Sequence, residues 1–200
     1  MRHAFSMLGI LTVLMVVGVY LTFHKKAEAP APVLEEPSSS SAMSFALTSP
    51  VFEVDGLIPS EYTCDGEGVS PELHIENVPE GTASLVLVMD DSDIPESVKQ
   101  ARGIEKFNHW AVYNIPADTK VLPRAWDGGT GALNSTGAVG YRGPCPPDRE
   151  HRYIFRLYAL SGTLNFIKTP TLDEVESAAE GMMLGKAELI GRYNRPSNTQ

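Results

Sequence analysis

Residues 140–147 read Gly140-Tyr141-Arg142-Gly143-Pro144-Cys145-Pro146-Pro147, and His151-Arg152-Tyr153 follows after a short polar spacer. Glycines let a backbone approach a ligand closely, and prolines fix the shape of a loop in advance. The apolar-rich run at 154–160, Ile-Phe-Arg-Leu-Tyr-Ala-Leu, predicts a buried strand directly behind this loop. The stretch therefore predicts either the wall of a small pocket at a strand entrance or a tight turn whose histidine only caps the strand.

Composition limits the classes of protein that this chain can be. Its 200 residues predict one domain, or one domain with an appendage. A balance of 16 basic to 25 acidic side chains gives a net charge of -9, which does not suggest a nucleic-acid partner, because such proteins cluster Lys and Arg. The 15 prolines and 17 glycines favour a β-rich, loop-rich fold over a helical bundle.

The N-terminal 42 residues divide into an apolar and a polar segment. Residues 5–23 are almost continuously apolar and long enough to cross a hydrocarbon layer, so we predict a membrane anchor at 1–26 with the following domain outside the cytoplasm. The alternative is a signal peptide cleaved after Ala27-Glu28-Ala29, which would give a secreted protein. Residues 27–42 are rich in Ala, Pro, Glu and Ser and predict a flexible linker, so the folded domain is predicted at 43–197.

Carboxylates follow a buried strand, and two histidines open later strands. The run 84–89 is continuously apolar and leads into Asp90, Asp91 and Asp93. These carboxylates form either a solvated turn or a site in which Asp91 or Asp93 orients a histidine. His109 and His151 each stand at the mouth of a predicted strand, where a histidine is usually only a satisfied polar group.

The remaining segments predict surface loops and one helix. Residues 96–108 lack a clear period and read as a surface excursion, and the Gly-rich stretch 117–139 reads as a long loop without the lysine of a phosphate-binding loop. A capping box at Thr171 predicts the start of a helix, whose apolar stripe extends through Met182 and which ends near Gly185. A closing strand is predicted at 188–193.

Several motifs occur together in a specific order. They are Tyr62-Thr63-Cys64-Asp65-Gly66 with Ser70-Pro71, then Asp91-x-Asp93-x-Pro95, His109-Trp110-x-Val112-x-Asn114-Ile115-Pro116, the loop and His151-Arg152-Tyr153 quoted above, and Ala187 to Tyr193. Over about residues 43–195 the chain resembles the phosphatidylethanolamine-binding protein family, in particular its bacterial and archaeal Raf kinase inhibitor-like branch. It departs from that family at Ser92, at the charged spacer 148–150 and at Met182.

The resemblance implies a fold and a site. The fold is mainly β: a β-sandwich with a large antiparallel sheet, a smaller sheet and few peripheral helices, here preceded by the predicted transmembrane helix. Carried over by position, the ligand-binding residues are the pocket-lining Asp91, His109, His151 and Tyr153 and the wall residues Pro95, Gly143, Cys145 and Pro147. Asp93 joins this set from the carboxylate argument above.

Phosphate-like chemistry suits these groups, because two imidazoles and a phenol can donate to phosphate oxygens. The predicted function is a membrane-tethered, non-enzymatic binding module for a small anionic ligand or phospholipid head group, with affinity rising as pH falls toward 6. No cofactor or metal is expected. One alternative is a protein-interaction regulator that inhibits a protease or kinase, although nothing identifies a protein partner.

A second alternative is an enzyme in which the same His and Asp residues bind a metal or act as a general base. Neither a Gly-x-Ser-x-Gly nor a His-Glu-x-x-His motif occurs in the sequence. Two cysteines are too few for a disulfide framework or a four-cysteine zinc site. Cys64 and Cys145 both fall in loops at the edge of the site, so we expect them to lie close together, as either a disulfide or two free thiols.

Overall fold

The computed structural model describes residues 44–196. The predicted anchor at 1–26 with its apolar run 5–23, the linker at 27–42 and the two outermost residues of the predicted domain lie outside the described residues. Within 44–196, no helix is both long enough and apolar enough to cross a membrane.

The described residues form two β-sheets and two α-helices. In chain order the strands are β1 Ala46–Thr48, β2 Gly56–Leu57, β3 Leu73–Glu76, β4 Ser84–Asp91, β5 Phe107–Pro116, β6 Val121–Leu122, β7 Thr130–Gly131, β8 His151–Leu160 and β9 Met183–Tyr193. The helices are α1 Glu96–Arg102 and α2 Leu172–Ala179. The small sheet has the order β1-β3-β6, and the large sheet has the order β2-β9-β8-β4-β5-β7.

Strand β4 lies inside the large sheet, between β5 and β8, and every one of its residues is buried. A continuous apolar run suits this position because both faces of the strand are covered. Leu85, Leu87 and Met89 belong to a core that also contains Leu73 and Leu122 of the small sheet. The two sheets therefore pack face to face around this larger core, which confirms the predicted mainly β fold with few helices.

The opposite face of the large sheet carries helix α2. Val86 and Val88, which alternate with the residues of the larger core, pack with Leu172, Val175 and Ala179 of the helix. The predicted capping box is confirmed, since the Thr171 hydroxyl accepts from the Glu174 N–H and the Glu174 carboxylate accepts from the Thr171 N–H.

Predictions for two segments differ from the structure. The α-helix ends at Ala179 and continues as a 3-10 turn to Met182, so β9 begins at Met183 and contains Gly185. A side chain at Gly185 would meet Pro79 at 2.8 Å, which explains the glycine as a close approach inside a strand rather than a helix end. The excursion at 96–108 contains helix α1.

One strand pair departs from the antiparallel pattern. Strand β2 runs parallel to β9, with Gly56 opposite Gly191, and all other pairs within the described sheets are antiparallel. Gly191 makes this edge compact, because a Cβ at that position would lie 2.6 Å from Ile58 Cγ1.

Candidate functional site

A cavity of about 270 Å³ opens where the end of β4 meets the starts of β5 and β8. Seven of the nine predicted ligand-binding residues line it: Asp91, Pro95, His109, Gly143, Cys145, Pro147 and Tyr153. The other two, Asp93 and His151, are not part of its lining. The wall also contains residues that the sequence did not single out for the site, namely Ile94, Val98, Arg102, Phe107 and Arg142.

A β-bulge places His109 at this cavity. Met89 of β4 pairs with Trp110, whereas the next residue, Asp90, pairs with Asn108, so His109 is the extra residue on β5. Bulges redirect side chains and occur next to functional sites. The His109 ring consequently stacks edge-on against Tyr153 of β8, with ring centroids 5.2 Å apart, and lies 4.8 Å from Phe107.

The His109 ring is neutral and accepts rather than donates into the site. Its Nδ1 lies 2.6 Å from the Arg142 carbonyl oxygen, which can only accept, so Nδ1 carries the proton and Nε2 is left as an acceptor. Burial lowers the pKa of His109 to about 4. Protonation therefore falls below the pH range expected from the sequence, and at neutral pH this imidazole offers no proton to a phosphate oxygen.

His151 is fully buried and lies between two carboxylates. Its Nδ1 is 2.7 Å from Asp91 Oδ2, and its Nε2 is 2.8 Å from Asp148 Oδ1. Burial raises the pKa of Asp91 despite the hydrogen bond from His151, and Asp91 Oδ1 also accepts the Asp93 backbone N–H at 2.7 Å. Asp91 is therefore the carboxylate that orients a histidine, and both of its oxygens are engaged.

Asp93 holds the loop after β4 instead of reaching the cavity. Its carboxylate accepts a two-pronged contact from the Arg152 guanidinium at 2.7 and 2.8 Å and the Arg152 backbone N–H at 3.0 Å. The Arg152 hydrogen bonds lower the pKa of Asp93 to about 2. Since Arg152 belongs to β8, this pair ties the β4 loop to the strand that carries His151 and Tyr153.

The Tyr153 hydroxyl is a polar group of the cavity wall that is buried and lacks a hydrogen-bond partner among the described residues. The Cys145 N–H lies close enough to favour the phenolate slightly but makes no hydrogen bond of normal geometry. Burial dominates and raises the pKa of Tyr153, so the phenol keeps its proton at neutral pH. A buried group of this kind usually acquires a partner, which here would be a ligand or water.

A disulfide fixes the loop that forms one wall. Cys64 and Cys145 are bonded, and the Cys64 N–H donates to the Pro144 carbonyl at 3.0 Å. Gly143 permits the two loops to lie this close, since a Cβ there would stand 3.0 Å from the Thr63 backbone. Within residues 44–196, no group of three or more His, Cys, Asp or Glu side chains is arranged to hold a metal ion.

Two residues that matter at this site carried only weak sequence signals. Arg102 lies on α1, in a segment that reads as a polar surface, yet it lines the cavity and lies over the Phe107 ring, 5.5 Å from its centre. Asp148 belongs to the charged spacer that departs from the family pattern, and only the structure shows its contact with His151.

Known proteins match nearly all of the described residues. A family model described as phosphatidylethanolamine-binding protein matches residues 48–194. A UPF0098 protein of Methanothermobacter thermautotrophicus is 43% identical over 156 residues, which covers 74% of this chain and 98% of that protein. A UPF0098 protein of Chlamydia trachomatis is 39% identical over 150 residues, with the same coverage of 74% and 98%.

Two solved structures share the fold. A putative phosphatidylethanolamine-binding protein homolog from Chlamydia trachomatis superimposes with a TM-score of 0.72 at 37% identity, over 76% of this chain and 98% of that one. Escherichia coli YbcL, described as a member of the mammalian family, superimposes with a TM-score of 0.67 at 26% identity over the same shares.

Proposed function

The chain belongs to the phosphatidylethanolamine-binding protein family, and from that premise we propose that its domain binds small ligands that carry an acidic, phosphate-type group. The observation that carries the proposal is the Tyr153 hydroxyl, a buried donor without a partner in the wall of a cavity. Leaving such a group unsatisfied costs free energy that a ligand oxygen would recover.

The charges around the cavity support an anionic ligand at its mouth. Arg102 and Arg142 line the cavity and are otherwise exposed to solvent. One Arg102 nitrogen donates to the Ser135 carbonyl at 2.7 Å, and the remaining guanidinium N–H groups of the two arginines can donate to a phosphate or carboxylate. The negative charge of Asp91 is compensated by hydrogen bonds from His151 and from the Asp93 N–H. Ile94, Val98 and Phe107 provide an apolar wall for the organic part of the ligand.

We propose a binding role rather than a catalytic one. Nucleophilic catalysis needs a Ser, Thr or Cys within hydrogen-bond reach of a base. In the described residues, both His151 ring nitrogens contact carboxylates, and the His109 Nδ1 contacts the Arg142 carbonyl oxygen. The remaining His109 Nε2 makes no hydrogen bond with a hydroxyl or thiol of the described residues, and the Cys145 sulfur is held in the disulfide.

The binding test uses the full-length protein in detergent, with methyl phosphate titrated by calorimetry at pH 7. Saturable binding that weakens in Tyr153→Phe supports the proposal, and no measurable binding to the correctly folded protein contradicts it. Vesicles with and without phosphatidylethanolamine then distinguish a lipid head group from a free phosphate ester as the source of the same chemistry.

We further propose that residues 5–23 anchor the domain to a membrane, with the domain on the oxidising side. The Cys64–Cys145 bond supports this placement, because disulfides persist outside the reducing cytoplasm. Alkaline extraction of membranes and the N-terminal sequence of the mature protein test it: release with an N-terminus near residue 30 favours the secreted alternative.

A further inference from the structure

The outward ring nitrogen of His151 already has an anionic partner. Asp148 Oδ1 lies 2.8 Å from Nε2, and the other Asp148 oxygen accepts from the Arg149 guanidinium at 2.7 Å. The hydrogen bond with His151 is the main reason that the pKa of Asp148 is lowered, so this carboxylate is charged at neutral pH. Nε2 is therefore occupied by the protein itself.

The number of protons sets the net charge of the hydrogen-bonded trio formed by Asp91, His151 and Asp148. Each of the two hydrogen bonds needs one proton, and the three side chains together hold two carboxylates and one imidazole. With two protons present, these three side chains together carry one net negative charge, whichever atoms hold the protons. If both protons are kept when Asp148 is absent, one in the Asp91–His151 hydrogen bond and one on Nε2, Asp91 and His151 are neutral as a pair.

Asp148 also stands beside the wall of the ligand cavity. Pro147 lines that cavity and a neighbouring one of about 530 Å³, and Asp148 lines only the neighbouring one. The His151 ring is fully buried and hydrogen-bonds to Asp91. Through this ring the charge of the surface residue Asp148 is coupled to Asp91, the carboxylate that lines the cavity.

We propose that Asp148 determines ligand specificity: as an internal anion on His151, it biases the cavity toward singly charged acids and against doubly charged ones. This inference rests on the proposed binding of phosphate-type ligands. The charges that face His151 and Asp91 are the carboxylates of Asp93 and Asp148 and the guanidinium groups of Arg149 and Arg152. Arg149 and Arg152 are each already paired with one of these carboxylates, so the cations left to offset a second ligand charge are Arg102 and Arg142 in the cavity wall.

The chain offers a matched control for this residue. Glu150 lies two residues away, its side chain is 40% exposed like that of Asp148, and its carboxylate pairs with Arg192 rather than with a histidine. Asp148→Asn and Glu150→Gln therefore remove the same charge from the same loop at the same exposure. Asp148→Glu keeps the charge and serves as the conservative variant.

The experiment measures binding of methyl phosphate, which can carry two charges, and dimethyl phosphate, which carries one, to each full-length variant at pH 8. Asp148→Asn is expected to strengthen methyl phosphate binding roughly tenfold, the effect of one charge-assisted hydrogen bond, and to change dimethyl phosphate binding less than about twofold. Glu150→Gln and Asp148→Glu are expected to behave like the unchanged protein. The ring nitrogen shifts of His151 should move in Asp148→Asn and stay in place in Glu150→Gln.

The outcomes separate the two proposals. Equal methyl phosphate affinity in the unchanged protein and in Asp148→Asn overturns the role of Asp148 and leaves the binding function standing. Binding that appears only in Asp148→Asn supports the role of Asp148 and contradicts phosphate binding by the unchanged protein. Absence of binding in all variants overturns both, and an equal gain in Glu150→Gln shows a general charge effect and overturns the specific role.

Discussion

Asp90 and Asp91 are consecutive residues of β4, yet their carboxylates lie on opposite faces of the large sheet. Asp91 bonds to His151 on the side of the larger core and the cavity. Asp90 is fully buried on the side of α2, where it pairs with Arg156 and with Lys106 at 3.3 Å. The alternation of side chains along a strand separates them, so one carboxylate belongs to the ligand site and its neighbour to the scaffold.

Removing the Tyr153 hydroxyl should weaken ligand binding while leaving the fold intact. Tyr153→Phe deletes a donor that has no partner in the protein, so we expect roughly tenfold weaker methyl phosphate binding and almost unchanged stability. Tyr158→Phe is the control, because the Tyr158 hydroxyl donates to Glu176 on the other face at 2.7 Å. That variant should lose about 1 kcal/mol of unfolding free energy and keep its affinity. Calorimetry and urea unfolding of both variants check this.

Removing the Asp90 charge should lower stability and leave ligand affinity unchanged, the opposite of what we expect for Tyr153→Phe. Asp90→Ala leaves Arg156 and Lys106 partly buried with one counter-charge fewer, and breaking a buried pair from one side costs about 3–5 kcal/mol. Methyl phosphate affinity of the folded fraction should stay unchanged. A large loss of affinity at constant stability would show that the two faces are not independent.

The neutral state of His109 should make stability fall in mild acid. Its pKa is about 4 in the folded protein against an ordinary value of 6.5, so the unfolded chain takes up a proton first as pH falls. Stability from this group is complete above pH 6.5 and declines between 6.5 and 4, by about 2 kcal/mol from pH 7 to 4.5. His109→Asn keeps a side-chain N–H for the Arg142 carbonyl and cannot titrate. Urea unfolding at the two pH values should show a smaller decline in the variant, and equal declines would contradict the assignment.

Loss of the disulfide should affect both stability and affinity. The bond closes a loop with a sequence separation of 81 residues, for which the chain-entropy treatment gives about 4.5 kcal/mol. Cys64→Ser combined with Cys145→Ser should lower the unfolding free energy by up to that amount. The double variant should also bind methyl phosphate more weakly, because Cys145 forms part of the cavity wall. Reduction of the unchanged protein should reproduce both effects, and alkylation with intact-mass analysis verifies the redox state.

The strands and the family could be predicted because their signals are local. The run at 84–89 predicts a buried strand, and the segments around His109 and His151 carry their motifs within a few residues. The parallel pairing of β2 with β9 was not predictable, since two residues at a sheet edge leave no periodic pattern.

The chemistry of the site depended on long-range geometry. Nothing near His109 in the sequence announces the bulge that turns it toward Tyr153, or the Arg142 carbonyl that fixes its tautomer. The second carboxylate on His151 is that of Asp148, and the charged spacer 148–150 did not indicate that one of its residues contacts a histidine. Residue types could therefore be assigned to the site from sequence, but the roles of donor and acceptor could not.

The covalent link between residues 64 and 145 also changes what a single backbone cut can do. A protease that cleaves once within this span, for example in the glycine-rich loop after Trp126, severs the chain but leaves its two pieces joined through sulfur. Such nicked protein would migrate as one species in a non-reducing gel and as two fragments after reduction. The strands on either side of the cut would thus stay together until the link is opened.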